Sequence, residues 1–224
     1  MAEKTHLSNS NAEGFPAEYY AALLAGLIHK LNNIITVLSG HTGLLLLEPN
    51  LKGDILQQVQ YMSRAAELLS RYIDETAIVT RAAPLLLESV GLSELLESLQ
   101  FPAGLSIKRE FGGRLKVFAD CRKLKEIFEQ ILRNASEANA KSTVVTADTH
   151  SGFVEVRVRD DGHGIKPPVM SRVFDPFFTT RKPDENFGVG LFKARGDLAR
   201  MKGEISAESD GKTYTEILVR LPAG

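Results

Sequence analysis

The sequence predicts a two-part molecule: an antiparallel helical hairpin that pairs with a second copy as a four-helix bundle, followed by an α/β domain. Three observations predict it. Between Pro16 and Leu47 the apolar residues Leu24, Leu27, Leu31, Ile34 and Leu38 recur at alternating spacings of three and four, one stripe along a long helix. From about Gly53 the residues Ile55, Val59, Met62, Ala66, Leu69, Ile73 and Thr76 repeat the heptad spacing of a second helical seam. After Ala82, Ala83 and Pro84 the pattern changes to shorter segments of mixed type, which places a domain boundary near residue 84.

Residues 1–15 are polar and without period and read as a flexible N-terminal arm. Glu48, Pro49 and Asn50 end the first helix and turn the chain into the second. Leu23, Ile28, Ile35 and Leu45 widen the first apolar stripe beyond what one partner helix covers, and a homodimer that closes a four-helix bundle is the economical remedy. In the second part, residues 85–224, Ser93 is expected to cap a helix through Leu99, and Leu105, Ile107, Leu115 and Val117 mark two strands around Gly112-Gly113. Asp120 caps a helix to about Ala138. Val154, Val156 and Val158 alternate with Glu155, Arg157 and Arg159, a half-buried strand ending at Asp160. A helix from Val189 to Met201, a stop at Gly203, and strands near Glu204–Ala207 and Thr213–Leu221 complete the domain.

Composition narrows the function. The 224 residues carry 27 Lys and Arg against 28 Asp and Glu, a net charge of -1, so nucleic acid and anionic membrane are not expected partners. A local phosphate site remains open. The single cysteine, Cys121, cannot close an internal disulfide and suits a reducing compartment. Thr36, Ser39, Gly40, His41, Thr42 and Gly43 interrupt the most apolar stretch, so no membrane span is expected and the protein reads as cytoplasmic.

Four signals carry chemistry, in a definite order. In Gly26-Leu27-Ile28-His29-Lys30-Leu31-Asn32-Asn33, His29 falls off the apolar seam on the outer face shared with Asn33 and Thr36. A neutral imidazole there can attack phosphorus and pass the phosphoryl group onward. In Gln130-Ile131-Leu132-Arg133-Asn134-Ala135, the Asn134 carbonyl can complete a magnesium shell beside phosphates without adding charge. Asp160-Asp161-Gly162-His163-Gly164 follows a strand, where a carboxylate can accept from an exocyclic amine and glycines admit a flat base. Val173-Phe174-Asp175-Pro176-Phe177-Phe178-Thr179-Thr180 then leads through Arg181 and Lys182 to Asn186-Phe187-Gly188-Val189-Gly190-Leu191. That is an aromatic anchor followed by glycines that open a helix whose amides can hold phosphate.

In this order the chain, from about residue 17 to its end, resembles the sensor histidine kinases of two-component signalling. His29 with Asn32 and Asn33 is similar to the phosphoacceptor box and Asn134 to the N box. Asp160 with Gly162 and Gly164 is similar to the first glycine box, Phe174 to Phe178 to the F box, and Gly188 with Gly190 to the second glycine box. The resemblance implies a dimerisation and phosphotransfer hairpin and an ATP-binding domain of the two-layer α/β sandwich type shared with gyrase and heat-shock chaperones. It implies ATP and Mg2+ as cofactors, with Asn134 on the metal, and Asp160, Gly162, Gly164, Phe174, Thr180, Arg181, Lys182, Gly188 and Gly190 binding the nucleotide. It also implies a lid of about residues 179–187 that closes over ATP, and a response-regulator receiver domain as the partner.

Three features depart from the family pattern. Lys30 stands where an acidic neighbour usually assists proton transfer from the phosphoacceptor, and an ammonium cannot accept that proton. Asn186 replaces the first glycine of the second glycine box. No sensor domain is expected ahead of the hairpin, so the signal is expected through an upstream sensor protein, through a small ligand, or not at all. Gln130 occupies the place of the water-activating glutamate of ATP-hydrolysing relatives, which suits transfer to His29. The expected function is therefore autophosphorylation of His29 from Mg-ATP and transfer to a receiver aspartate, with His29, Asn33 and Lys30 at the reacting centre. The alternatives are a histidine phosphotransferase with a weakened or unused ATP site and a nucleotide-responsive pseudokinase interaction module.

Overall fold

A computed structural model describes residues 17–80, 84–100, 102–181 and 187–224. It divides into two compact units, Met1–Ala82 and Ala83–Gly224.

The first unit is a hairpin of α1 (Ala17–Leu46) and α2 (Gly53–Thr80). Its turn closes through Leu47 N to Leu44 O and Leu51 N to Glu48 O, both 3.1 Å, and Gly53 takes a φ of 60° that favours glycine. The seam is a seven-residue repeat on each helix, with Ile28, Ile35 and Thr42 of α1 and Val59, Ala66 and Ile73 of α2 buried. Thr42 tolerates that position because its hydroxyl donates to Leu38 O at 2.9 Å. The expected α1 stripe is therefore corrected: Leu24, Leu27, Leu31 and Ile34 stay exposed, and Ile55, Met62 and Leu69 of α2 do likewise. A heptad offers two apolar positions and a two-helix hairpin closes only one side of them. His41 is exposed too. The segment Leu23–Leu46 is long and apolar enough to cross a membrane by length and composition, a correction to the sequence reading, because its small interrupting residues barely lower the mean hydropathy. A bundle helix with two apolar faces has the same composition.

The second unit is an α/β sandwich. A five-stranded sheet of order β2-β4-β5-β7-β6 is built from β2 (Ser106–Glu110), β4 (Ser142–His150), β5 (Phe153–Asp160), β6 (Glu204–Ser209) and β7 (Thr215–Pro222). β1 (Glu88–Gly91) and β3 (Lys116–Ala119) form a separate antiparallel pair. The helices are α3 (Leu92–Glu97), α4 (Cys121–Glu137), the short α5 (Pro167–Met170) and α6 (Gly190–Arg200). Leu124, Phe128 and Ile131 of α4 and Leu198 of α6 pack with Val154, Val156 and Val158 of β5 and Val219 and Leu221 of β7 in one core. On the strands' alternate positions Glu155, Arg157, Arg159, Glu216 and Arg220 form ion pairs.

Three sequence expectations change here. The segments flanking Gly112-Gly113 are strands that do not pair with each other: β2 pairs parallel with β4 and β3 pairs antiparallel with β1. Gly91, not Ser93, is the N-cap of α3, without a side-chain bond. The sequence does not announce β4: its burial alternates through Thr143, Val145 and Ala147, but Val144 beside Val145 and a threonine on the buried face hide the period that is plain in β5. Asp120 does cap α4, its Oδ1 accepting from Arg122 N at 3.1 Å and Lys123 N at 3.2 Å. Its Oδ2 also accepts from Leu86 N at 2.9 Å, which ties the entry of the domain to the helix that bears Asn134.

Candidate functional site

The second unit holds a cavity of about 190 Å³ among α4, the turn after β5, residues 173–181 and the start of α6. Asp160, the last residue of β5, lines it and is buried. Its register neighbours are Thr143 on β4 and Thr215 on β7, and its Oδ1 accepts from Gly162 N at 2.9 Å. Burial pushes the Asp160 carboxyl above the usual carboxylate range, opposed by the amides of Gly162 and Thr215. The result is a desolvated acceptor suited to one polar contact with a flat ligand. Asp161 is spent on structure: its Oδ1 accepts from Lys141 N at 2.7 Å and Ser142 N at 2.9 Å, amides that hold its carboxyl below the usual range.

The glycines have separate reasons. A Cβ at Gly162 would sit 2.8 Å from the Ala138 Cβ and carbonyl oxygen, and one at Gly164, with φ 69°, would sit 2.6 Å from Lys212 N. Gly188 has φ 67° and a Cβ there would overlap the Phe178 carbonyl. At Gly190 a Cβ would meet the Gln130 amide carbon at 2.6 Å. That amide is engaged, since Gln130 Nε2 donates to Asn134 Oδ1 at 2.9 Å and so orients the Asn134 carbonyl. One lone pair of Oδ1 remains for another ligand. Among the described residues no group of three or more His, Cys, Asp or Glu could hold a metal ion by itself.

The remaining candidates divide. Thr180 and Arg181 line the cavity with Gly164, Gly188 and Gly190. Arg181 Nη1 pairs with Glu137 Oε1 at 3.2 Å, and Arg181 N donates to Thr179 Oγ1 at 3.1 Å. Phe174 does not line it: its ring lies 5.8 Å from the Arg195 guanidinium carbon, and Val173 and Phe178 supply the wall instead. Gly162 supports the turn against Ala138 rather than lining the space. Lys182, Asn186 and most of the expected lid fall outside the described residues. Phe177, exposed at φ 61°, is strained for a non-glycine residue.

Sequence reasoning missed Thr215, Ile217, His163 and Glu137, all of which line the cavity. Strand register brings Thr215 to Asp160, and no local spacing announces it. Glu137 was legible, since it follows Asn134 by three residues on one helix face. In the first unit His29, Lys30 and Asn33 are exposed on α1, while Asn32 is half-buried and its carbonyl accepts from Thr36 Oγ1 at 2.8 Å.

A buried acceptor at a strand end, glycine turns and a helix start opening on one cavity define a ligand-binding α/β sandwich domain. Residues 119–224 match the family described as histidine kinase-, DNA gyrase B- and HSP90-like ATPase. The sensor histidine kinase ZraS of Escherichia coli K12 is 28% identical over 206 residues, 86% of this chain and 44% of the relative. Sporulation kinase A of Bacillus subtilis is 27% identical over 214 residues, 89% of this chain and 34% of the relative. The crystal structure of full-length ShkA in complex with AMPPNP shares the fold with a TM-score of 0.64 at 22% identity, over 91% of this chain and 46% of that one. Residues 119–224 thus match that ATPase family, and the homologues of the chain include proteins named sensor histidine kinases. The chain spans less than half the length of these relatives.

Proposed function

We propose that the chain is a cytoplasmic two-component histidine kinase that phosphorylates its own His29 from Mg-ATP and passes the group to an aspartate of a response-regulator receiver domain. The observation that carries this reading is a conjunction: an exposed imidazole on a helical hairpin, and an ATPase-family domain whose cavity joins buried Asp160 to Asn134. Asp160 accepts from the adenine amine, and the glycine turns bring backbone close to the base and the phosphates. Magnesium fits the donor set, because Asn134 offers one neutral oxygen and the nucleotide's own phosphate oxygens supply the rest. When bound, it neutralises charge on the transferring phosphate.

In the transfer a neutral imidazole nitrogen of His29 attacks the γ-phosphorus, a P–N bond forms, the P–O bond to ADP breaks, and the ring N–H proton leaves. A receiver carboxylate then attacks the phosphoramidate and the P–N bond breaks as the imidazole is re-protonated. Lys30 beside His29 cannot accept the departing proton, so water takes it and the first step is slow. The exposed Leu24, Leu27, Leu31, Ile34, Ile55, Met62 and Leu69 supply the face that a second copy covers, completing a four-helix bundle.

Incubation with γ-labelled ATP and magnesium tests the reading. Acid-labile label on the protein is expected, and His29→Gln should abolish it while ATP binding persists. Label on another residue, or none, would sink it. Lys30→Glu should accelerate labelling by about 100-fold if only a proton acceptor is missing, and an unchanged rate would assign Lys30 to holding phosphate instead.

A further inference from the structure

Arg181 is the only Lys or Arg among the described residues that line the cavity, yet it is already engaged. Its guanidinium meets the Glu137 carboxylate at 3.2 Å, and both side chains are only partly exposed, at 31% and 25%. Glu137 stands on α4 three residues beyond Asn134, on the same helix face, so the pair adjoins the carbonyl to which the metal and phosphates are assigned. The second carboxylate lining the cavity, Asp160, sits at the end of β5, where its backbone partners hold it. The arrangement opposes a polyanion. A phosphate tail entering the cavity meets a neutralised cation and a carboxylate that must give up its partner.

We infer that Glu137 is a specificity-determining residue that holds Arg181, and that only a ligand with a di- or triphosphate displaces it. This rests on the nucleotide reading above and adds to it a residue and a rule of selection. Arg181 exchanges a single carboxylate for phosphate oxygens, a swap in which guanidinium geometry suits both partners. An adenosine without phosphates has nothing to exchange and leaves the pair intact. Glu137 therefore weakens polyphosphate binding in general and makes it dependent on the tail.

Calorimetry of the full chain with Mg-ATP, Mg-ADP and adenosine tests this. Glu137→Gln keeps the shape and removes the charge, and it should tighten ATP and ADP about fivefold while leaving adenosine unchanged. Arg181→Gln should weaken ATP about tenfold, again sparing adenosine. In the double variant the gain from Glu137→Gln should vanish, since there is no cation left to release. Unchanged ATP affinity in Glu137→Gln, equal tightening of adenosine, or a gain that survives in the Arg181→Gln background would each overturn the inference while nucleotide binding itself stood. Absence of ATP binding by the unmodified chain and by every variant would overturn the nucleotide reading, and this inference with it.

Discussion

The two units bury apolar residues in opposite ways. In the sandwich, Phe128, Leu124, Leu198 and the β5 valines close on one another, and the polar ends of the strands converge on a cavity. In the hairpin only one of two heptad positions is covered, and Leu27, Leu31, Ile34, Ile55 and Met62 face outward although their residue types are those of a core. A domain that meets its own burial requirement is free to place desolvated groups such as Asp160 at a binding site. A hairpin that does not leaves apolar residues for a partner to cover, and His29 stands among its exposed residues.

The largest effect should separate the two cores. Phe128→Ala removes a fully buried ring and should cost the sandwich about 3–5 kcal/mol, read as an early denaturant transition that does not shift with protein concentration. A concentration-dependent shift of that transition would mean that the units do not stabilise themselves separately. Next, Leu31→Asp alters a residue that is exposed in the single chain and should leave helicity in place while dissociating the proposed dimer, measured by sedimentation. An unchanged sedimentation coefficient would show that this face is covered by something other than a second copy.

The smallest expected effect concerns Asp160 alone. Asp160→Asn should weaken ADP by about 1.5–3 kcal/mol, the worth of a hydrogen bond to a charged group. The sign for stability runs the other way. Burial holds the folded-state pKa of this carboxyl above its unfolded value, so its ionisation costs stability as pH rises through that window. The amide variant should be as stable as the parent or more so at neutral pH, and nucleotide affinity of the parent should fall as acid protonates Asp160. A variant that loses stability and affinity together would mark Asp160 as a structural residue.

Legibility followed the range of the interaction. Asp160 and Asn134 stand within local patterns, a strand end and a helix turn, and the cap at Asp120 needs only the next three residues. Phe174 and Phe178 carry the same local signal, and nothing short of packing tells which of the two reaches the cavity. Gly162 and Gly164 look alike in the sequence, but one packs on Ala138 and the other approaches the β6–β7 loop.

By itself the sequence determined the hairpin, the α/β character of the second unit, the strand ending at Asp160 and the helix bearing Asn134, because periodicity, caps and turn residues act over a few neighbours. Only the tertiary structure decided which heptad face is closed, that β2 runs parallel beside β4, that Thr215 meets Asp160, and that Glu137 holds Arg181. Those choices compare surfaces distant in the chain, and the winning arrangement is the one that buries the most apolar area while leaving few buried polar groups unpaired.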